Sequence, residues 1–292
     1  MTVKEKAYAK INLYLDVTGR RDDGFHDILS VMHSVDLCDT VTLTSDRSDI
    51  TEIKLTCNNS DLSCDESNII YRAASKYLSY FKINSKVNIH LEKNIPIGAG
   101  LGGGSSDAAA TLRAMNKVFR KADIDQLLEL ATSLGSDVPF CVLGGLCVCV
   151  GRGEMFTQLP VSEQMTFVIA IGESRVSTPK AYAALDELYN NFTVPFSDEE
   201  CSYNKRIKDM LLNGNIDIPH YNIFEQVTKI DEIEKIKKIM TNNGAEYVLM
   251  SGSGPSVFGR FVDIDYVEKA YNSLIKNGFS AFVCHSVYPE VE

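Results

Sequence analysis

Five of the seven residues 98–104 are glycines. The run lies between a segment with strand alternation (86–94) and a helix-forming stretch that begins at Asp107. Glycine accepts positive φ angles and lets a ligand approach the backbone closely. The following helix directs its free N–H groups and positive dipole end back at the loop. A simple turn needs only one or two glycines, so the run predicts a phosphate-binding loop.

Three familiar phosphate loops do not match this run. Gly98, Gly100 and Gly103 fit the pattern G-x-G-x-x-G, but a dinucleotide site also needs a parallel βαβ unit, and helices follow here. A P-loop needs Lys and then Ser or Thr after its last glycine, and residue 104 is still glycine. The glycine loop of a protein kinase lies in a hairpin rather than before a helix. A different class of phosphate loop is therefore required.

The periodicity of apolar residues predicts a mixed fold. The predicted strands are 3–17, 28–36, 40–45, 50–57, 86–94, 145–151, 166–172, 245–250, 256–261 and 281–287. The predicted helices are 67–81 with Ser67 as N-cap, 107–119, 124–134, 178–190, 203–213, 230–243 and 265–277, and a surface loop is predicted at 191–202. The elements lack a regular βαβ rhythm, so the fold class is α+β rather than doubly wound. A break near 153–165 predicts two domains, 1–155 and 156–292.

The composition of the chain argues against nucleic acid and membranes as binding partners. The formal net charge of −10 leaves no general basic footprint for nucleic acid or an anionic membrane. No apolar run approaches the roughly 20 residues that span a bilayer, and the N-terminal residues lack the apolar block of a secretory signal. We therefore expect a cytoplasmic protein that acts on a small molecule, in an oligomeric state that the sequence does not indicate. The eight cysteines contain no CxxC pair, which favours buried reduced thiols over a zinc site.

Several segments together resemble the GHMP kinase family. The loop at 96–106 is similar to the family pattern P-x-G-x-G-L-G-S/G-S-S. The other segments that resemble family motifs are AKINL at 9–13, DGFH at 23–26, LGSDVPF at 134–140, GRGE at 151–154 and SGSGPS at 251–256. The resemblance implies an α+β fold of two domains, ribosomal-S5-like at the N-terminus and ferredoxin-like at the C-terminus, with the site between them. The first domain would bind ATP.

The combination of AKINL, DGFH and GSDVPF resembles one branch of the family. That branch phosphorylates the 2-hydroxyl of a cytidylated methylerythritol in non-mevalonate isoprenoid synthesis. The implied catalytic residues are Lys10 and Asp137. Asp137 would accept the proton of the acceptor hydroxyl, and Lys10 would orient Asp137 and stabilise charge on the transferring phosphoryl group. Without that role, Asp137 would be an ordinary turn carboxylate and Lys10 a solvent-facing strand lysine, because lysine is rarely buried unpaired.

The implied cofactors are ATP and Mg²⁺, with no metal ligand assigned. Ser105 and Ser106 add hydroxyl groups that could contact phosphate or the ion, and Lys93 would add a cation just before the loop. The residues expected to hold the nucleotide are Asn68, Lys93, Pro96, Ile97, Gly98, Ala99, Gly100, Leu101, Gly102, Gly103, Gly104, Ser105 and Ser106.

The residues expected to hold the acceptor are Asn12, Phe25, His26 and Tyr182. The resemblance implies that His26 hydrogen-bonds the cytosine edge. Phe25 stands where the family commonly has tyrosine, so it can stack on the base but cannot offer a phenol hydrogen bond. Tyr182 would form the opposite aromatic wall. Asn222 and Glu225 resemble an N-x-x-E element of the family and are equally compatible with a structural role.

Two other functions are compatible with the same fold. The first is another GHMP reaction, on a mevalonate-pathway acceptor or homoserine. The DGFH segment and the aromatic residues Phe25 and Tyr182 argue against it, because they indicate a base-binding pocket. The second is a catalytically inactive sensor. Such a protein would be expected to lack Lys10 or Asp137, and both residues are present. The 2-hydroxyl of the favoured acceptor is tertiary, so placement of the reacting groups should matter more than basicity.

Overall fold

The computed structural model describes residues 1–160, 163–190, 207, 209, 213 and 219–289. The strands are β1 (Thr2–Arg20), β2 (His26–Arg47), β3 (Glu52–Cys57), β4 (Ser85–Glu92), β5 (Leu146–Gly151), β6 (Met155–Gln158), β7 (Thr166–Ile171), β8 (Tyr221–Asn222), β9 (Tyr247–Met250), β10 (Val257–Phe261) and β11 (Ser280–His285). The helices are α1 (Ile69–Tyr80), α2 (Gly103–Phe119), α3 (Ile124–Thr132), α4 (Val138–Leu143), α5 (Thr178–Leu188), α6 (Asp231–Asn242) and α7 (Ile264–Lys276), with a 3₁₀ turn at Ile223–Gln226.

The first sheet is built around two long antiparallel strands. Its order is β3-β4-β2-β1-β8, and β5 also pairs with β2 and carries β6 on its other side. β2 was predicted as two strands, 28–36 and 40–45, and this prediction is wrong because the strand runs unbroken for 22 residues. Asp36 and Leu37 lie at a register shift against β1, between Val35, which is opposite Ala9, and Cys38, which is opposite Tyr8. A bulge therefore takes the place of the turn.

Helices α1 to α4 cover one face of the first sheet. α2 is the central helix, and three consecutive alanines, Ala108 to Ala110, are fully buried on it. Small side chains let this helix lie close to the strands and to its neighbours. Its core extends to Leu43 and Ile89 on the sheet. The packing fixes the start of α2, and hence the glycine loop, against β1.

The second sheet has the order β11-β7-β10-β9 and all its pairs are antiparallel. Its chain order is β7, α6, β9, β10, α7, β11, with α5 and β8 inserted after β7. This is the βαββαβ succession of a ferredoxin-like unit. The expected α+β fold of two domains is therefore confirmed. Phe167 and Phe258 of this sheet share a core with Ile11 of β1, so the two sheets pack together.

The second half of the chain also adds a strand to the first sheet. β8 pairs in parallel with β1, with Tyr14 opposite Tyr221 and Leu15 opposite Asn222. β6 spans the predicted boundary at 155/156, which remains a prediction. The predicted helix 203–213 and loop 191–202 lie outside the described residues, apart from residues 207, 209 and 213.

Smaller differences from the predicted elements have local causes. The N-cap of α1 is Asn68 rather than Ser67, because the Asn68 side chain accepts the hydrogen bond from the Ile70 N–H. Three short elements, α4, β6 and β8, were not predicted, since two to six residues carry too little periodicity. Cys147 and Cys149 are buried as expected, whereas Cys64 is exposed.

A buried histidine in β2 predicts that stability depends on pH. The ring of His33 is fully buried, and neither ring nitrogen has a hydrogen-bond partner among the described residues. Burial lowers the pKa of His33 to about 4. The unfolded chain, with a histidine pKa of about 6.5, binds a proton at pH 5 that the native protein does not. The free energy of unfolding should therefore fall by about 2 kcal/mol between pH 7.5 and pH 5 through this residue alone.

Urea unfolding at the two pH values measures this contribution. His33→Leu should remove most of the difference between pH 7.5 and pH 5, because it removes the proton-binding group. His90→Asn, at an exposed position on β4, serves as the control and should keep the wild-type difference. An equal pH dependence in wild type and His33→Leu would contradict the assignment.

Candidate active site

The site begins on β1, where Lys10 and Asn12 share one face of the strand. Lys10 Nζ donates to Asn12 Oδ1 at 2.7 Å. Asn12 Nδ2 donates to Ser30 Oγ at 2.8 Å, and Ser30 Oγ donates to the Tyr14 carbonyl at 2.8 Å. The Lys10 side chain is only 6% exposed, which excludes a solvent-facing strand lysine. This chain of hydrogen bonds holds the ammonium group in one place.

Asp137 lies opposite Lys10 at the start of α4. Its Oδ2 is 3.7 Å from Lys10 Nζ, and its side chain is 32% exposed. Although Asp137 occupies the N-cap position, its side chain makes no capping hydrogen bond with α4. The carboxylate is therefore not used to stabilise the helix. The structure brings together the two residues that were predicted to act as a pair.

The glycine loop passes directly over Lys10. The Lys10 N–H donates to the Leu101 carbonyl at 2.9 Å. A Cβ atom at Gly102 would lie 2.8 Å from Lys10 Cγ, and one at Gly100 would lie 2.3 Å from the Ser251 carbonyl oxygen. Both glycines also have positive φ angles. Close packing on Lys10 and on the second glycine turn therefore requires glycine at these two positions.

The second glycine turn, 251–256, comes from the C-terminal half and closes the site. The Gly252 N–H donates to Asn12 Oδ1 at 3.0 Å. Asn222 Nδ2 donates to the carbonyls of Met250 and Gly252 at 2.7 and 2.8 Å. Glu225 Oε1 accepts the Met250 N–H at 2.8 Å. Asn222 and Glu225 thus hold the turn in place. Of the two roles that the sequence left open for them, these contacts match the structural one.

Two cavities meet at the glycine loop, and Gly100 and Gly102 line both of them. One cavity, of about 510 Å³, lies on the side of α1 and α2. We call it the donor cavity, and its lining is Leu62, Ser63, Ser67, Asn68, Ile69, Ile70, Leu91, Lys93, Asp107, Ser105 and residues 96–104. The other, of about 560 Å³, contains Lys10, Asn12 and Asp137. We call it the acceptor cavity.

Most residues predicted to hold the nucleotide line the donor cavity. Ser106 does not, and this prediction is corrected: its side chain is buried and its hydroxyl donates to the Tyr8 carbonyl at 2.5 Å. Asn68 lines the cavity while its amide caps α1 and donates to the Ser63 carbonyl at 2.6 Å. Ser105 remains the loop hydroxyl that lines the cavity.

The ammonium of Lys93 is already paired with two carboxylates. Its Nζ contacts Asp39 Oδ2, and it contacts Asp107 Oδ2 at 2.8 Å. Although burial acts to lower it, the pKa of Lys93 is raised by the charges of Asp107 and Asp39. Burial also raises the pKa of Asp107 well above its usual range, against the opposing charge of Lys93. Lys93 lines the donor cavity, but it is not a free cation for phosphate.

The acceptor cavity brings together all the residues predicted to hold the acceptor. His26 Nε2 lies 2.6 Å from Asp186 Oδ1. The His26 ring stacks on Tyr182 with 4.7 Å between ring centroids, and Tyr182 meets Phe224 edge-on at 4.9 Å. Phe25 is half exposed at the cavity mouth. One end of this cavity is therefore aromatic, and the other end carries Lys10 and Asp137.

Sequence reasoning missed two charged residues of this cavity. Asp186 follows Tyr182 by four residues on α5, so helical spacing places both on one face. Arg152 belongs to the GRGE segment, which was noted without a role. Its guanidinium Cζ lies 4.9 Å from the centroid of the Phe25 ring. Neither residue lies in a segment whose pattern identifies a ligand.

Family comparisons agree with this geometry. The model of the GHMP kinases N terminal domain matches residues 68–145, and that of the GHMP kinases C terminal domain matches residues 205–286. A homoserine kinase from Cytophaga hutchinsonii shares the fold, with a TM-score of 0.73 at 20% identity over 98% of this chain and 95% of that one. The chain belongs to the GHMP kinase family.

More similar proteins narrow this assignment. The 4-diphosphocytidyl-2-C-methyl-D-erythritol kinase of Exiguobacterium sibiricum is 41% identical over 294 residues, covering 99% of this chain and 97% of the relative. A crystal structure of 4-(cytidine 5'-diphospho)-2C-methyl-D-erythritol kinase has a TM-score of 0.75 and 31% identity, over 97% of this chain and 99% of that one. Within the GHMP kinases, the chain belongs with the 4-diphosphocytidyl-2-C-methyl-D-erythritol kinases.

Proposed function

We propose that this chain transfers the γ-phosphoryl group of ATP to the 2-hydroxyl of 4-diphosphocytidyl-2-C-methyl-D-erythritol, a step of non-mevalonate isoprenoid precursor synthesis. The observation that most directly supports the proposal is the wall that the two cavities share. Gly100 and Gly102 line both, so a phosphate bound against the loop lies beside the acceptor cavity. Lys10 and Asp137 lie on the acceptor side of that wall. Donor and acceptor can therefore meet there in line.

Lys10 and Asp137 have complementary roles in the transfer. The acceptor oxygen attacks the γ-phosphorus, the bond from that phosphorus to the bridging oxygen of ADP breaks, and the hydroxyl proton passes to the Asp137 carboxylate. The Lys10 ammonium stabilises the charge on the transferring phosphoryl oxygens and keeps Asp137 oriented. Since the hydroxyl is tertiary and crowded, placement of these groups carries much of the rate enhancement.

Asn12 positions Lys10 in this scheme. Its Oδ1 accepts from Lys10 Nζ and from the Gly252 N–H, and its Nδ2 donates to Ser30. These contacts link the ammonium to both halves of the chain. The predicted contact between Asn12 and the acceptor remains a prediction.

The donor cavity fits ATP with Mg²⁺. The N-terminus of α2 and the glycine loop supply N–H groups for phosphate. In the described part of the chain, no group of three or more His, Cys, Asp or Glu side chains could hold a metal ion by itself. Mg²⁺ commonly takes most of its ligands from substrate phosphates and water. The Ser105 hydroxyl would be its protein ligand here, and the ion would neutralise charge on the phosphates.

The acceptor cavity fits a cytidylated polyol. Its aromatic end offers Phe25 and Tyr182 to a base, and His26 lines the same end, where the polar edge of the base would lie. Burial raises the pKa of Tyr182 to about 12, so its phenol stays neutral. None of the helices in the described residues combines the length and apolarity needed to cross a bilayer. The expectation of a cytoplasmic enzyme that acts on a small molecule is part of this proposal.

An ADP-release assay with ATP and Mg²⁺ tests the proposal. It compares four acceptors in parallel: 4-diphosphocytidyl-2-C-methyl-D-erythritol, mevalonate, phosphomevalonate and homoserine. We expect turnover on the cytidylated acceptor alone. Turnover on mevalonate or homoserine instead would agree with the GHMP kinase family but refute the base-binding roles of Phe25 and His26. ATP binding with no turnover on any acceptor would favour the sensor.

A further inference from the structure

The acceptor cavity has a second cation whose place between its two ends indicates a role. Arg152 lies in the turn between β5 and β6, flanked by Gly151 and Gly153, both at positive φ. A Cβ atom at Gly153 would lie 3.6 Å from Asp137 Oδ1, so the backbone of this turn borders the reacting end. The Arg152 side chain reaches in the other direction, to within 4.9 Å of the Phe25 ring centroid.

Arg152 has hydrogen-bonding capacity to spare. Its Nε is buried and has no hydrogen-bond partner among the described residues. The carboxylate paired with it is that of Glu154, whose Oε1 lies 3.7 Å from Nε, beyond hydrogen-bond distance. The charge of Arg152 is also among the causes that lower the pKa of Asp23, after the backbone hydrogen bond from Phe25. The side chain is 30% exposed and lines the acceptor cavity. A guanidinium with an unpaired N–H group can still donate two parallel hydrogen bonds to an anion.

The charges that line the cavity show which cation is available to an anion. Lys10 faces Asp137 at the reacting end, and Asp186 binds His26 at the aromatic end. Arg20 Nη1 also lies 3.6 Å from Asp186 Oδ2, so the cations at both ends are occupied by carboxylates. The proposed acceptor carries a diphosphate between its base and its polyol. Arg152 is the cation that lies between the two ends.

We propose that Arg152 binds the diphosphate of the acceptor and is a specificity-determining residue of this kinase. The inference rests on the proposed function. The planar guanidinium matches the paired oxygens of a phosphate, which the point charge of lysine does not. Its contact with Phe25 holds it at the junction of base and diphosphate. Phosphorylated cytidine compounds should therefore bind far better than cytidine itself.

Two measurements on Arg152→Gln and Arg152→Lys test this role. The first is steady-state kinetics with the cytidylated acceptor. For Arg152→Gln we expect the KM of the acceptor to rise about ten- to hundredfold, the range for loss of a charge-assisted hydrogen bond, with the KM of ATP unchanged. Arg152→Lys should recover only part of the loss. The second is calorimetric titration of CDP and of cytidine into each protein.

The ratio of CDP to cytidine affinity separates phosphate binding from a structural role. We expect this ratio to fall by the same factor as the KM rises. Arg260→Gln is the matched control, since Arg260 also pairs with a glutamate, Glu246 at 3.2 Å, and is 36% exposed. It should leave both quantities unchanged. An unchanged CDP-to-cytidine ratio in Arg152→Gln, or an equal loss for both ligands, overturns the inference.

The titrations also distinguish failure of this inference from failure of the proposed function. If the wild type does not turn over the cytidylated acceptor, the proposed function fails, and the CDP-to-cytidine ratio still reports on Arg152. If the wild type turns it over and Arg152→Gln matches it in KM, only the inference fails. Should Arg152→Gln not fold, the Arg152→Lys ratio decides the same question.

Discussion

Replacing Asp137 with alanine is expected to lower kcat for phosphoryl transfer by about 10²–10⁴-fold while leaving the fold intact. The factor is that of a general base positioned on the reacting hydroxyl. The carboxylate lies 3.7 Å from Lys10 Nζ and is one-third exposed. It makes no capping hydrogen bond with α4. Its loss therefore removes a reacting group and its ion pair with Lys10, but no helix cap, and the Lys10 ammonium keeps its hydrogen bond to Asn12. ADP release at saturating substrates measures the effect.

Asp123→Ala supplies the matched control. Asp123 is also an aspartate at a helix N-cap, but its side chain accepts the Gln126 N–H in a full capping box on α3. Its replacement should cost about 1 kcal/mol of stability and no activity. The two variants thus predict opposite outcomes in the same two assays. An Asp137→Ala protein that folds and keeps its kcat, or an Asp123→Ala protein that loses activity to the same extent, would contradict the assignment.

The local motifs could be interpreted before the structure was known because each encodes a backbone requirement. Positive φ at Gly100 and Gly102, and their approach to Ser251 and Lys10, are the reasons why only glycine fits. A run of such positions is visible in sequence. The fold class followed from the succession of predicted strands and helices, the family followed from the motifs, and both are confirmed. The catalytic roles of Lys10 and Asp137 remain predictions, although the two side chains do meet.

The remaining features depend on contacts between distant parts of the chain. Nothing near Lys93 shows that Asp39 and Asp107, 54 and 14 residues away, surround its ammonium. Similarly, Ser106 follows the loop pattern, yet helix geometry directs its hydroxyl to the Tyr8 carbonyl. Periodicity predicts burial but not the partner. That is why the charge state of the donor cavity could not be inferred from sequence.

The buried cluster of Lys93, Asp39 and Asp107 underlies the second large prediction. Asp39 also accepts the N–H groups of Asn94 and Ile95, just before the glycine loop. Lys93→Met would leave two buried carboxylates without their cation. Breaking a buried ion pair from one side costs about 3–5 kcal/mol, since the remaining charge is desolvated and unpaired. We expect the free energy of unfolding at pH 7.5 to fall by this amount.

A matched control and the pH dependence distinguish the loss of a buried ion pair from the loss of an exposed one. Lys86, on β4, pairs with Glu52 at 3.2 Å, but the two side chains are 49% and 57% exposed. Lys86→Met should therefore change stability by about 0–1 kcal/mol. Without the ammonium, the native-state pKa of Asp107, which burial already raises, rises further above that of the unfolded chain. The native variant then binds more protons than the unfolded one, so its deficit should shrink as the pH is lowered from 7.5 to 5. Urea unfolding of both variants measures this, and a small, pH-independent loss for Lys93→Met would show that the cluster does not hold the loop in place.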